Sequence, residues 1–370
     1  MIEPALRRIA WARATLVERE ASSRLTTSYG DAPARRPHVI VEIGTAAGAV
    51  GLGEASPLPE FTGETAAAVH HALTETYFPA LPGHEATAPA AVAAEMERLL
   101  PGNPSARAAI DMAVHDLAGR LLGVPVAALL GGVRRPSVAL ARALGIGTVA
   151  ATVAAAERYA ADGFRTLKLK VGQNPRADVE RVRAVRRAVG DDVRIRIDAN
   201  QGYDAATAVG VLRALEDCRL EYVEQPVPRW DHAGMAHVRR AAGTPVLADE
   251  AVHTPQDALA LIRAGAADLF ALKFVKTGGL VRAAQIAAIG EAAGIDCVVI
   301  SPFETQIGAA AGLHMALALP LGRHAHELTV FATQPAMART GIHLRGDALH
   351  PAETPGLGVE SIVELAGSRA

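Results

Sequence analysis

A charged residue closes each of five successive apolar, β-branched runs in this chain. Lys168-Leu-Lys170 is followed by Asp198, Glu224, Asp249 and Lys273, and the intervals from Asp198 to Lys273 are 26, 25 and 24 residues. The runs at 166–170, 194–198, 220–224, 245–249 and 268–273 read as strands, and the Ala-rich stretches at 177–189, 205–215, 256–263 and 280–293 carry helical periodicity. Each interval is the length of one strand with its crossover helix. Repeated βα units build a parallel sheet. If the sheet closes, one charged group per unit collects at the C-terminal rim of a barrel. Side chains alternate along a strand, so the two lysines of Lys-x-Lys point to one face.

Further strands are expected at 137–144, 296–301 and 324–328, which brings the count to eight. This is a compact version of a barrel plan that usually takes roughly 250 residues. No Gly-x-Gly-x-x-Gly follows a first strand, which counts against an open doubly wound sheet with a dinucleotide site. Upstream, alternation at 7–18 and 38–45 predicts antiparallel strands, and helices are expected at 65–77, 88–99 and 103–122, the last with a small-residue face suited to burial. The Gly/Pro-rich stretch at 340–364 reads as a terminal segment that folds back. The organisation is therefore an N-terminal α+β domain over 1–125, a barrel over 126–335 and a C-terminal segment over 336–370 that returns to the first domain.

Three carboxylates converging at one rim repel one another unless a cation neutralises them. An all-oxygen set of this kind suits a hard ion such as Mg²⁺. Composition sharpens the assignment of the flanking lysines. Of 37 basic residues only four are lysines, Lys168, Lys170, Lys273 and Lys276, and all lie in two short segments. Arginine keeps its charge everywhere, whereas a lysine can be tuned to release its proton near neutral pH. A formal charge of −2 leaves no footprint for nucleic acid. The two cysteines lack metal-ligand spacing, and the chain has neither a signal-peptide core nor an apolar run of membrane length. A cytoplasmic enzyme acting on a small molecule is expected.

At these residues the chain resembles the enolase superfamily, in its mandelate racemase/muconate lactonizing enzyme family. The motifs are TLKLKVG at 166–172, RIDANQGY at 196–203, EYVEQPV at 221–227, VLADEAV at 246–252 and FALKFVKTGG at 270–279. The resemblance implies an α/β fold, a modified TIM barrel of (β/α)7β form with an N-terminal α+β capping domain. It makes Asp198, Glu224 and Asp249 the ligands of Mg²⁺, with Mn²⁺ able to substitute. Lys170 becomes the acid/base on one face of the substrate, with Lys168 lowering its pKa, and Lys273 the acid/base or electrostatic group on the other. Asn200, Gln225 and Glu250 support the ligands, and Glu304 and Glu327 stand near the substrate. Lys276 is expected to be a surface or helix-start charge. Loops near 24–35 and 54–64 are expected to close over the barrel mouth. A homo-oligomer, from dimer to octamer, is also implied.

Removing a proton α to a carboxylate places a second negative charge on its oxygens, which a metal ion and a nearby ammonium stabilise. Cycloisomerisation, racemisation or epimerisation, and dehydration of the o-succinylbenzoate synthase type all share that enolate step. EQPVPRWDHAGM, FALKFVKTGG and the FTGE loop resemble muconate cycloisomerases, and a cycloisomerase-like reaction is expected first, with a racemase or epimerase of an amino-acid derivative second. Two late motifs depart from the pattern. ISPFETQIG at 300–308 lacks the Met-Leu-Glu-Ser form, and Glu327-Leu328 is followed by Thr-Val-Phe without the Asp-x-Asp with which dipeptide epimerases hold an ammonium. Two other classes compete: a silent ligand-binding barrel, against which all five charged positions argue, and a lyase that forms a Schiff base on Lys273.

Overall fold

The computed structural model describes residues 7–20, 25–33, 35–328 and 338–362. Its first unit is a three-stranded antiparallel sheet of Ile9–Glu20, Arg35–Thr45 and Val50–Ala55. The helices Ala66–Ala72, Pro89–Leu99 and Pro104–Leu122 accompany it, and the first of them continues as a π-helical turn, Leu73–Tyr77. The strand Val50–Ala55 lies directly on Pro104–Leu122, and its alternate glycines permit the approach. A β-carbon on Gly53 would stand 1.9 Å from the Ala109 carbonyl oxygen, and one on Gly51 would stand 2.1 Å from that of Ala113. The helix is correspondingly buried almost throughout, as its small-residue face predicts.

The second unit is a seven-stranded parallel sheet in sequential order, from Arg142–Leu144 through Thr166–Lys170, Arg194–Asp198, Val223–Glu224, Val246–Ala248 and Leu269–Leu272 to Asp296–Val299. His326 bridges in parallel to Leu140, and Glu327 bridges to Ile300. That short segment joins both edges and supplies the eighth position of a closed barrel. Within the barrel, Tyr222, Leu247, Leu269, Ala271, Val298 and Ile300 pack as a separate apolar cluster.

The stretch expected as one strand at 137–144 is two pieces. Val138–Ala139 pairs antiparallel with Ala348–His350 of the C-terminal segment, and Arg142–Leu144 enters the barrel. The C-terminal segment also reaches the first unit, where Asp116 Oδ1 accepts from Leu357 N. Buried carboxylates of the first unit cap barrel helices in the same way. Asp111 accepts from the backbone N–H groups of Leu280 and Val281, and Glu54 accepts from those of Thr305 and Gly308. Among the described residues no helix is long and apolar enough to cross a membrane.

Candidate active site

The strand register sets the levels of the charged groups. Lys168 pairs with Arg196, Lys170 with Asp198, and Asp198 with Glu224. Glu224 then pairs with Leu247, and Ala248 with Phe270, so Asp249 and Lys273 lie progressively further along their strands. This stagger is what tilted barrel strands require to hold side chains at one height along the axis. The ladder stops just short of Asp249 and Lys273 because the backbone turns there. Gln225 Oε1 accepts from the N–H groups of Asp249 and Ala251, and Lys273 begins the short helix Phe274–Thr277.

Asp198, Glu224 and Asp249 are fully buried, and four ammonium groups share their oxygens. Lys168 Nζ stands 3.0 Å from Asp198, 2.8 Å from Glu224 and 2.7 Å from Glu327. Lys170 Nζ donates to Asp198 Oδ2 at 2.6 Å and to Asn200 Oδ1 at 2.9 Å. Lys273 donates to Asp249 Oδ2, and Lys276 to Asp249 Oδ1 at 2.9 Å. Burial works against ionised carboxylates, but Lys168, Lys170 and Lys273 hold Asp198 well below the usual range, and Lys273 and Lys276 do the same for Asp249. Burial also pulls ammonium groups down. Asp249, Glu224 and Glu250 outweigh it for Lys273, and Asp198, Glu224 and Glu327 for Lys168, so both lie above the ordinary lysine range.

Glu224 is the exception among the acids. Burial, together with repulsion from Asp198, Glu327 and Asp249, pushes its carboxyl well up although Lys168 Nζ lies 2.9 Å from its Oε1 and 2.8 Å from its Oε2. One ammonium, Lys168, is thus shared among three buried carboxylates, and the donor set around Glu224 is all oxygen. Those are the conditions a hard divalent cation meets. Among the described residues no three acids are gathered on one point as a finished metal cage, since each is drawn toward a lysine.

Lys276 is not the surface charge expected from the sequence. It is fully buried and donates to both the carbonyl and the carboxylate of Asp249. The four-residue helix after Lys273 turns the chain back, which returns residue 276 to the site. Burial, with Lys273 adding to it, lowers its pKa against the pull of Asp249.

Asn200 Nδ2 donates to Glu250 Oε1 at 3.1 Å, and burial beside Asp249 and Asp198 pushes Glu250 up to about 7. Glu327 is occupied by Lys168 and by Arg196 at 3.3 Å. Glu304 is buried behind the wall segment 301–303, pushed up to about 8 by burial, and its Oε2 lacks a partner. Arg196, completely buried between Glu221, Tyr222 and Glu327, has no role in the sequence reading. Its signal was present all the same, because it shares a strand face with Asp198 two residues on. The Thr-Val-Phe stretch after Leu328 lies outside the described residues.

These groups open into a chamber of about 330 Å³ whose floor carries Lys168, Lys170, Asn200, Lys273 and Glu327. Both expected loops contribute to its walls, with Leu25, Tyr29 and Pro33 from one and Leu58, Glu60 and Phe61 from the other. The Phe61 ring centroid lies 4.7 Å from Lys273 Nζ. Opposite, Phe303 holds a left-handed backbone, φ 76°, unusual for a bulky residue, and the Arg36 guanidinium stacks 3.4 Å from its ring centroid.

The family model for the enolase C-terminal domain-like fold matches residues 151–364, and that for the mandelate racemase/muconate lactonizing enzyme N-terminal domain matches 14–131. An L-Ala-D/L-Glu epimerase of Bacillus subtilis is 36% identical over 340 residues, covering 90% of this chain and 91% of the relative. The chloromuconate cycloisomerase CbnB of Cupriavidus necator is 34% identical over 353 residues, covering 91% and 95%. The crystal structure of the dipeptide epimerase of Enterococcus faecalis in complex with Mg and the dipeptide L-Leu-L-Tyr superposes with a TM-score of 0.91 at 34% identity, covering 95% of this chain and 99% of that one. Fold, paired domain models and relatives agree, and the chain belongs to the mandelate racemase/muconate lactonizing enzyme family of the enolase superfamily, as one of its isomerases.

Proposed function

We propose that this isomerase is a racemase or epimerase that removes and returns the proton α to a carboxylate, acting on N-acylated amino acids with an apolar side chain. The observation that carries the reading is the placement of Lys170 and Lys273 in one chamber from the second and sixth barrel strands, four positions apart in a ring of eight. Groups on opposite sides of a substrate carbon can take a proton from one face and deliver one to the other. Lys273 is hydrogen-bonded to Asp249, and Phe61 covers it from the mouth of the chamber.

Asp198, Glu224 and Asp249 would hold Mg²⁺, with Mn²⁺ expected to substitute, and the gathering of three buried carboxylates at the ends of three adjacent strands supports that fit. When bound, the ion supplies positive charge for the carboxylate as the α-proton leaves. Glu327 is already paired with two cations, Lys168 and Arg196, which favours a blocked amine over a dipeptide.

Similarity to a chloromuconate cycloisomerase supports a second reading, cycloisomerisation of a dicarboxylate diene. A second carboxylate would need a second cation. Among the described lining residues the cations all lie on the floor, while the upper wall presents Asp31 and Glu60.

The test is α-proton exchange of N-acetyl-L- and N-acetyl-D-phenylalanine in D₂O with Mg²⁺, followed by NMR. Lys170→Ala should silence one enantiomer and Lys273→Ala the other, each by at least about 10²–10⁴-fold, the usual worth of an acid/base group. EDTA should silence both. Exchange that survives both substitutions, or turnover of muconate without exchange of either enantiomer, refutes the proposal.

A further inference from the structure

The hairpin formed by Thr26–Thr27 and Gly30–Asp31 stands at the chamber mouth, and its tip grips one turn of the barrel. That turn, Asn200-Gln201, has two consecutive non-glycine residues with left-handed backbone, φ 40° and 66°, a strained arrangement that persists only when its surroundings enforce it. Ser28 Oγ donates to the Asn200 carbonyl at 2.8 Å. Tyr29 Oη donates to Glu250 Oε1 at 2.7 Å and accepts from Gln201 Nε2 at 2.6 Å. Glu250 Oε1 also accepts from Asn200 Nδ2, and the other end of that amide accepts from Lys170 Nζ. A continuous chain of hydrogen bonds therefore runs from the hairpin tip through Glu250 and Asn200 to Lys170.

Resting on the two-lysine reading above, we infer that Tyr29 is a positioning residue: its hydroxyl, arriving with the closed hairpin, fixes the Asn200 amide that aims the Lys170 ammonium. An amide can present either end to a neighbour. With Tyr29 and Asn200 both donating to Glu250 Oε1, the amide nitrogen is held toward Glu250 and its oxygen toward Lys170. The device touches one face of the chamber only. Lys273 and Lys276 hydrogen-bond to Asp249 and, among the described hydrogen bonds, make none to the hairpin chain, although Glu250 acts on both through space.

The lysine composition makes the inference directly measurable. All four lysines of the protein lie in this site, so the full chain labelled with ¹⁵Nζ,¹³Cε-lysine gives four side-chain signals, assigned through Lys170→Arg, Lys273→Arg and Lys276→Arg, with Lys168 as the fourth. With Mg²⁺ present, Tyr29→Phe, which keeps the ring and removes the hydroxyl, should move the Lys170 signal clearly more than those of Lys273 and Lys276, which feel Glu250 only through space. Ser28→Ala should move it in the same direction by less. In the exchange assay Tyr29→Phe should slow only the enantiomer served by Lys170, by about tenfold or more, with the other held within about twofold. An unmoved Lys170 signal, or equal movement of all four, overturns the inference. If Lys170→Ala fails to silence one enantiomer, the two-lysine reading falls, and the NMR result still decides whether Tyr29 positions the ammonium.

Discussion

Replacing Glu54 by leucine tests whether the first unit is fastened to the barrel by buried charge. Glu54 is 1% exposed and is the last residue but one of the third strand of the first unit. Its carboxylate accepts from Thr305 N at 2.8 Å, Thr305 Oγ1 at 2.5 Å and Gly308 N at 3.0 Å, at the start of the barrel helix Gln306–Ala318, and His38 Nδ1 lies 2.8 Å away. Burial would raise its pKa, but His38 and Thr305 outweigh it and hold it below the ordinary value of 4.5. Leucine leaves two N–H groups and a hydroxyl without an acceptor, at about 1–3 kcal/mol each before relaxation. It also removes the charge at a helix N-terminus, worth up to roughly 2 kcal/mol when buried. Partial relaxation brings the expected loss to about 3–5 kcal/mol, the usual cost of breaking a buried pair. At roughly 2 °C per kcal/mol for a chain of this size, the melting point should fall by about 6–10 °C. A carboxylate with a depressed folded pKa gives stability that is present above its unfolded pKa and lost as pH falls through the folded one. The gap between wild type and Glu54→Leu should therefore be full at pH 7 and narrow below pH 4.5. Thermal unfolding at both pH values measures it. A loss under about 1 kcal/mol at pH 7, or a gap unchanged well below pH 4, refutes the reasoning.

Glu304 carries the opposite sign. Its folded pKa of about 8 lies above the ordinary 4.5, so the native state pays a growing penalty as pH rises between those values. Glu304→Gln should match wild type near pH 4.5 and exceed it by up to roughly 3–5 kcal/mol at pH 8. Urea unfolding across that range checks this, and a pH-independent difference contradicts it. Lys276→Met should cost about 3 kcal/mol of stability and lower kcat/KM for N-acetylphenylalanine exchange by about 10²-fold, because Asp249 loses one of its two ammonium partners. A surface lysine would change stability by less than about 0.5 kcal/mol, and a result that small would return Lys276 to the role expected from the sequence.

What could be read ahead of the structure follows a physical divide. Lys168, Lys170, Asp198 and Glu224 were legible because strand periodicity fixes which side chains share a face, and the βα interval fixes how often such a face recurs. Lys276 was not, because its position depends on a four-residue helix too short to leave a periodic signal. Glu54, Asp111 and Tyr29 act across separations of 251, 169 and 221 residues, on Thr305, Leu280 and Glu250 respectively. Nothing local in the sequence encodes such partners. The break in the first barrel strand was hidden for the same reason, since Val138–Ala139 is drawn away by a strand more than 200 residues later.

The register gives the arginine and lysine usage a reason that composition alone could not. Lys168 and Arg196 are partners at one level, and Lys170 and Asp198 are partners one step nearer the rim. At the lower level the task is permanent charge. Arg196 ties Glu221 and Glu327 together, and Lys168 is held as ammonium by three carboxylates. Guanidinium suits that task because it keeps its proton and offers five fixed donors. At the rim the proposed function sets a different task, giving and taking a proton, which guanidinium performs poorly and an amine performs well. A Lys168→Arg exchange is thus compatible with the lower layer's charge, whereas Lys170→Arg keeps the charge and removes the chemistry. The four lysines among 37 basic residues all stand against Asp198 or Asp249, where the proposed function needs a proton that can move.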